Sequence, residues 1–223
     1  MRLFRRAAIA ATALLAFSNH VGATTLDAGA NFQNGPLYIT LTGANDGQPF
    51  QTSSGSISPS FLDGVPVPYL YCVEITTNIN VPGSYFATLS DAGIVHGGLL
   101  SNAGQVAWLL DNIAPGATSA DAQEGLQAAI WSQVFGANFG LATGPGETSA
   151  AIQGFYNADL AALGTNTSPL SDVIWISPYN SDGSNAQGLV TSSSHPVPEP
   201  STAILLGLGI ASLVGYSLRK RKA

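Results

Sequence analysis

Asn102-Ala-Gly-Gln-Val-Ala-Trp-Leu-Leu-Asp-Asn112, a Pro115-Gly116 turn, and Thr118-Ser-Ala-Asp-Ala-Gln-Glu-Gly-Leu-Gln-Ala-Ala-Ile-Trp-Ser-Gln-Val134 put two helices in the middle of a chain otherwise rich in strand signals. The first segment reads as a short helix that stops at the Pro-Gly turn. The second opens at Thr118-Ser-Ala-Asp121, a capping-box-like start. Leu126, Ile130 and Val134 then share one side, flanked by Ala129 and Trp131. At about 100° per residue, Gln127 projects between Val134 and Trp131, toward the apolar side. A buried amide there must find partners or cost about 1–3 kcal/mol. Gln123 and Gln133 also lean inward, so the stripe is not clean.

Working outward, Val65-Pro-Val-Pro-Tyr-Leu-Tyr-Cys-Val-Glu-Ile75 takes on strand character from Tyr69 onward, being rich in aromatic and β-branched residues. Alternation puts Leu70, Cys72 and Glu74 on one face and Tyr71, Val73 and Ile75 on the other. Further strands are expected at Leu37–Leu41, Ser84–Leu89 and Asp172–Ser177. In the last, Val173 and Trp175 share one face and Ile174 and Ile176 the other. A third helix is expected to open at 147–149, with Ile152, Phe155, Tyr156, Leu160 and Leu163 on its inner side. Strands, then three helices, then a strand describe an α+β domain.

The two ends follow a different logic. Met1-Arg-Leu-Phe-Arg-Arg6, an apolar run from Ala7 to Phe17 and the small-residue pattern Val21-Gly22-Ala23 make residues 1–23 a secretory signal peptide. Residues 24–191 form the extracellular domain. Residues 192–200, Ser-Ser-Ser-His-Pro-Val-Pro-Glu-Pro, read as a linker. Residues 201–218 carry no formal charge and are just long enough to cross a bilayer as a transmembrane helix. Residues 219–223 form a basic tail that belongs on the cytoplasmic side. The motif Pro198-Glu199-Pro200, the apolar helix and the basic tail together resemble a PEP-CTERM sorting signal. That resemblance implies recognition by an exosortase in a bacterium that makes exopolysaccharide. It also implies a cell-envelope or extracellular protein, held at first in the inner membrane by its C-terminal helix.

All seven Lys and Arg residues lie in these end segments, and residues 24–196 hold twelve of the thirteen acids. Such a domain is poorly suited to nucleic acid or anionic lipid. With one Cys and two His after residue 23 there is no zinc spacing, and no cofactor is expected. Asn180-Ser-Asp-Gly-Ser-Asn185 could coordinate calcium but reads better as a polar turn.

Cys72 is the single cysteine of an exported chain, where cysteines normally occur as pairs. It calls for an intermolecular bridge, a buried inert thiol, or some other covalent use. Tyr71-Cys72-Val73 and Leu126-Gln127-Ala128-Ala129-Ile130-Trp131 together resemble the paired motifs of the thioester (TQXA-type) domains of bacterial surface adhesins. Leu126 departs from the Thr that many members have before the glutamine. The resemblance implies a β-barrel or sandwich with a helical insertion, and an internal thioester between Cys72 and Gln127. Tyr71, Val73, Leu126, Ile130 and Trp131 would surround it. It further implies adhesion by acylation of an amine-bearing surface or matrix ligand, single-use rather than enzymatic. Two other functions stay open. One is a structural, exopolysaccharide-associated envelope protein in which Cys72 and Gln127 are core residues. The other is a cysteine hydrolase in which His96 activates Cys72, with Asp91 or Asp111 as orienter.

Overall fold

The computed structural model describes residues 24–32, 37–142 and 148–193. The expected signal peptide, the sorting motif, the expected membrane helix and the basic tail lie outside them. Among the described residues no helix is long and apolar enough to cross a membrane.

The sheet is built outward from Val173–Tyr179, whose first six residues are all buried. Alternating side chains serve two cores. Val173 and Trp175 join one apolar cluster, and Ile174 and Ile176 join the other, as the alternation in sequence requires. Seven antiparallel strands run in the order Val65–Val67, Ser60–Leu62, Thr24–Ala28, Gly83–Ser90, Val173–Tyr179, Leu189–Ser192, Tyr71–Cys72. With three helices, this curled half-barrel makes the domain α+β. Its strand order runs from one free edge to another, so the expected closed barrel or sandwich is replaced by an open sheet.

Several strands lacked a periodic signal. Thr24–Ala28 sits inside the sheet, between Ser60–Leu62 and Gly83–Ser90. The hairpin joining Ser60–Leu62 to Val65–Val67 turns at Asp63 and Gly64, both at positive φ (+49° and +78°). That is the backbone a two-residue hairpin needs, and Asp-Gly supplies it at little steric cost. Asp63 also accepts the Thr25 N–H at 2.7 Å, tying the turn to the neighbouring strand. Pro66 lies on the outermost strand, where a missing N–H costs no ladder bond and discourages a further strand. At the other end of the domain, Leu189–Ser192 takes in Ser192, the first residue assigned to the linker, and the Ser193 N–H still bonds to Asp172 O.

The helices are α1 (Ala103–Asn112), α2 (Ala120–Phe135) and α3 (Ala150–Leu163). The cap of α2 is Ser119, whose hydroxyl accepts the Ala122 N–H at 3.2 Å, so the box expected from Thr118 to Asp121 is shifted by one residue. From Glu124 to Trp131 every residue of α2 is buried. A helix buried all round lies inside a core, not on its surface. Leu126, Ala129 and Ile130 enter one apolar cluster while Ala128 and Trp131 enter the other.

On α3 the expected inner side is narrower than the spacing suggested. Ile152, Asp159 and Leu163 are buried, whereas Phe155 is 42 % exposed. The cause is a close crossing with α2. A Cβ at Gly125 would stand 2.5 Å from Phe155 Cβ and 3.0 Å from Tyr156 N, so the backbones meet there and the Phe155 ring is directed outward. Helix propensity alone would favour Gly125→Ala by up to about 1 kcal/mol. The crossing reverses that sign: urea unfolding of Gly125→Ala should show a net loss of about 1–3 kcal/mol.

Candidate functional site at the open sheet edge

Tyr71–Cys72 is the last strand of the sheet and has one neighbour, Leu189–Ser192. Inward, Val73 N–H bonds to Gly188 O. Alternation of the antiparallel ladder turns the N–H and C=O of Cys72 the other way, toward the position an eighth strand would occupy. Both groups are buried there and need partners. Gln127 supplies them: Cys72 N–H donates to Gln127 Oε1 at 2.9 Å, and Gln127 Nε2 donates to Cys72 O at 2.7 Å. One side-chain carboxamide thus stands in for the peptide group of a missing strand.

Helical geometry explains why Gln127 can do this. With about 100° between successive residues, Trp131 and Ala128 flank it on one side and Ile130 and Leu126 on the other. The first two belong to the core that holds Cys72, Leu70 and Ile176; the second two belong to the core that holds Tyr71, Val73 and Trp175. Helix α2 therefore straddles the edge strand with one apolar flank on each face of the sheet, and Gln127 points at the edge itself.

Cys72 and Gln127 both have 0 % exposure, so the structure brings the two sequence-selected residues together in a dry contact. The surrounding residues divide. Trp131 shares the core of Cys72, while Tyr71, Val73, Leu126 and Ile130 pack on the opposite face. The alternation breaks after Glu74, because the chain bends once the two-residue strand ends, and Ile75 packs with the Cys72 core instead of the Tyr71 core.

The thiol is electrostatically quiet. Burial first, and the charge of Glu74 second, push its pKa far above the ordinary cysteine value, so Cys72 is held as a neutral thiol. His96 does not change this. Its Nε2 lies 2.8 Å from Ala186 O and 3.8 Å from Glu74 Oε2, and its backbone N–H donates to Ser177 Oγ at 2.8 Å. Of its suggested orienters, Asp91 is exposed in the turn after Gly83–Ser90 and Asp111 lies in the last turn of α1. The turn at 180–185 is closed on itself, with Asp182 accepting from Ser184 N–H at 2.9 Å and Asn180 Nδ2 donating to Ser184 Oγ at 3.0 Å. Among the described residues no group of three His, Cys, Asp or Glu side chains could hold a metal.

One nearby carboxyl gave no signal in sequence. Asp159 of α3 is 7 % exposed and its Oδ2 has no hydrogen-bond partner, and burial raises its pKa to about 6. Its charge in turn helps raise the pKa of Tyr71, after burial and Tyr69.

Residues 196–222 match the family model of the PEP-CTERM protein-sorting motif. The chain is thus an exported protein, sorted to the cell surface with processing by an exosortase. The match covers Pro198, Glu199 and Pro200 and stops short of the folded domain. No curated protein and no solved structure matches the chain.

Two measurements check this geometry. In a Cys72→Ala background, where nothing can bond to sulfur, Gln127→Met keeps the volume but leaves the residue-72 N–H and C=O unpaired. Denaturant unfolding should report a loss of about 2–4 kcal/mol. The second concerns Asp159. A raised carboxyl pKa favours the protonated form in the fold, so that stability is present below about pH 4 and lost as pH rises through 6. Asp159→Asn should leave stability unchanged at pH 3 and raise it at pH 7, by no more than about 3 kcal/mol.

Proposed function

We propose that Cys72 and Gln127 condense into an internal thioester, and that the sorted domain is a covalent adhesin that acylates amines on a target surface or matrix. The observation that carries this reading is the pair of reciprocal hydrogen bonds, which hold the carboxamide against the residue that bears the thiol.

The chemistry balances without a co-reactant. Cys72 Sγ attacks Gln127 Cδ, the Cδ–Nε2 bond breaks, and the thiol proton leaves with the nitrogen as ammonia. A neutral thiol and a primary amide are sluggish partners in water, so the reaction depends on being held in place. Effective concentrations in such fixed pairs reach about 10⁵ M or more. The stable product is an acyl group on a good leaving thiolate. An incoming amine then attacks Cδ, forms an amide with Gln127 and returns the proton to Sγ. Trp131 on one face and Ile130 with Tyr71 on the other keep bulk water from the acyl carbon. The domain reacts once and does not turn over.

A second reading is favoured by the same bonds. Gln127 completes the sheet edge whether or not it reacts, which is what a structural, exopolysaccharide-associated envelope protein would require. The cysteine-hydrolase reading has no such support, because the thiol is buried and His96 is committed to Ala186 and Glu74.

Methylamine separates the first two. Treating the purified exported chain with methylamine under native conditions should expose one thiol per chain and leave a methylamide on Gln127, found by peptide mass mapping. Residues 24–218 contain no Lys or Arg, so the digestion must use a protease that does not depend on them. A chain that shows one free thiol before treatment and an unmodified Gln127 afterwards is the structural protein.

A further inference from the structure

The cleft of about 720 Å³ between the Tyr69–Tyr71 segment, the C-terminal end of α1 and the first turns of α2 belongs to none of the structural roles above. We infer that it binds the terminal ammonium of a linear alkylamine, such as a lysine side chain or a polyamine, and delivers it, once one proton has passed to the Asp111 carboxylate, as the neutral amine to the Cys72–Gln127 pair. This rests on the covalent-capture reading and gives it a recognition site.

Position comes first. Two lining residues lead to the pair: Tyr71 immediately precedes Cys72, and Gln123 precedes Gln127 by one turn on the same side of α2. The cleft and the reactive residues therefore share a strand and a helix, which fixes their separation.

The lining chemistry then selects a cation. Asp111 contributes a carboxyl from the last turn of α1; burial first and the charge of Asp172 last raise its pKa, against a hydrogen bond from Ser168, and an ammonium beside it would favour the charged form. Residues 24–193 contain no Lys or Arg, so no internal cation competes for Asp111. Gln123 Oε1 is buried without a hydrogen-bond partner, an acceptor with no donor. An ammonium has three donors and no acceptor, which suits a carboxylate and an amide oxygen together. Tyr69, only partly buried, adds an aromatic ring to the cleft, backed by the buried ring of Tyr71 with the two centroids 6.0 Å apart. Tyr69 is held in place by donating its hydroxyl to Leu110 O at 2.8 Å. Aromatic faces attract an alkylammonium and pack against its methylenes. An anionic ligand would be repelled by Asp111 and Asp172, and an uncharged sugar would forgo the charge-assisted contact that an ammonium makes.

The test uses cadaverine, a diamine with the lysine side-chain end, on the purified exported chain carrying Cys72→Ala. That chain cannot form a thioester, so binding is read without coupling. Calorimetry should show saturable cadaverine binding that weakens with salt, and that falls about tenfold or more in Asp111→Asn. Near-UV circular dichroism checks that Asp111→Asn keeps the fold, and Tyr69→Leu gives an independent loss of several-fold. The equally long but uncharged 1,5-pentanediol should not bind. In the chain that retains Cys72, Asp111→Asn should raise the cadaverine concentration for half-maximal coupling more than it lowers the maximal rate.

No saturable binding, binding indifferent to Asp111→Asn, or a preference for glucosamine over cadaverine would each overturn the assignment. The failures are distinguishable. Cadaverine binding to the Cys72→Ala chain without coupling in the Cys72-bearing chain removes the thioester and keeps the cleft; coupling without such binding does the reverse.

Discussion

An edge strand of two residues cannot hold itself. Tyr71–Cys72 has one sheet neighbour, and its outward backbone groups are buried where water cannot reach them. The carboxamide of Gln127 is the group that satisfies them, and α2 is placed by that need as much as by its apolar flanks. Because the helix sits on the edge and not on a face, it reaches both cores at once. The open half-barrel is closed on that side by a helix, not by another strand. Leaving an edge uncovered invites pairing with other chains, and a buried helix removes that risk as well.

The same constraint sets the chemical possibilities. A glutamine recruited only to fill a hydrogen-bonding gap would be a structural residue. Placing it opposite the one cysteine of the chain brings an electrophilic carbon to the residue that carries the nucleophile. The thiol is neutral and buried, and His96 is engaged with Ala186 O instead of activating it. Proximity within the fold is the resource it has. A lysine-free, acidic domain adds compatibility, since no internal amine side chain can consume an acyl group held there. The equal absence of arginine, which would pose no such threat, shows that acidic composition alone accounts for part of that pattern.

How much of this was legible follows from what each signal depends on. Helical periodicity is local, so α2 and the inward turn of Gln127 were readable, as was the two-faced Val173–Ile176 strand. The glutamine's partner was readable only through the lone cysteine and the resemblance of paired motifs. The one-residue shift of the α2 cap reflects two adjacent hydroxyl residues, Thr118 and Ser119, that local sequence does not rank. Thr24–Ala28 and Leu189–Ser192 are short strands beside segments that the sequence reads as a signal peptide and a linker, and tertiary pairing decides them. The Asp63-Gly64 hairpin, by contrast, carried a turn signal that could have been used. Asp159 and Phe155 exchanged the roles their residue types suggest because the Gly125 crossing, a long-range contact, fixes the face of α3. Nothing in sequence joins Tyr69, Asp111 and Gln123 into one cleft, since they come from three separate elements.

The sorting signal and the domain answer different questions, one about destination and the other about what is delivered there. The chemistry proposed for the delivered end turns on whether a bond forms between residues 72 and 127. Intact mass spectrometry of the freshly purified, processed chain addresses that bond most directly. The account predicts a mass about 17 Da below that of the processed sequence, the loss of one ammonia, with Cys72→Ala and Gln127→Met each at full sequence mass. A wild-type chain at full sequence mass, stable on incubation, would contradict it.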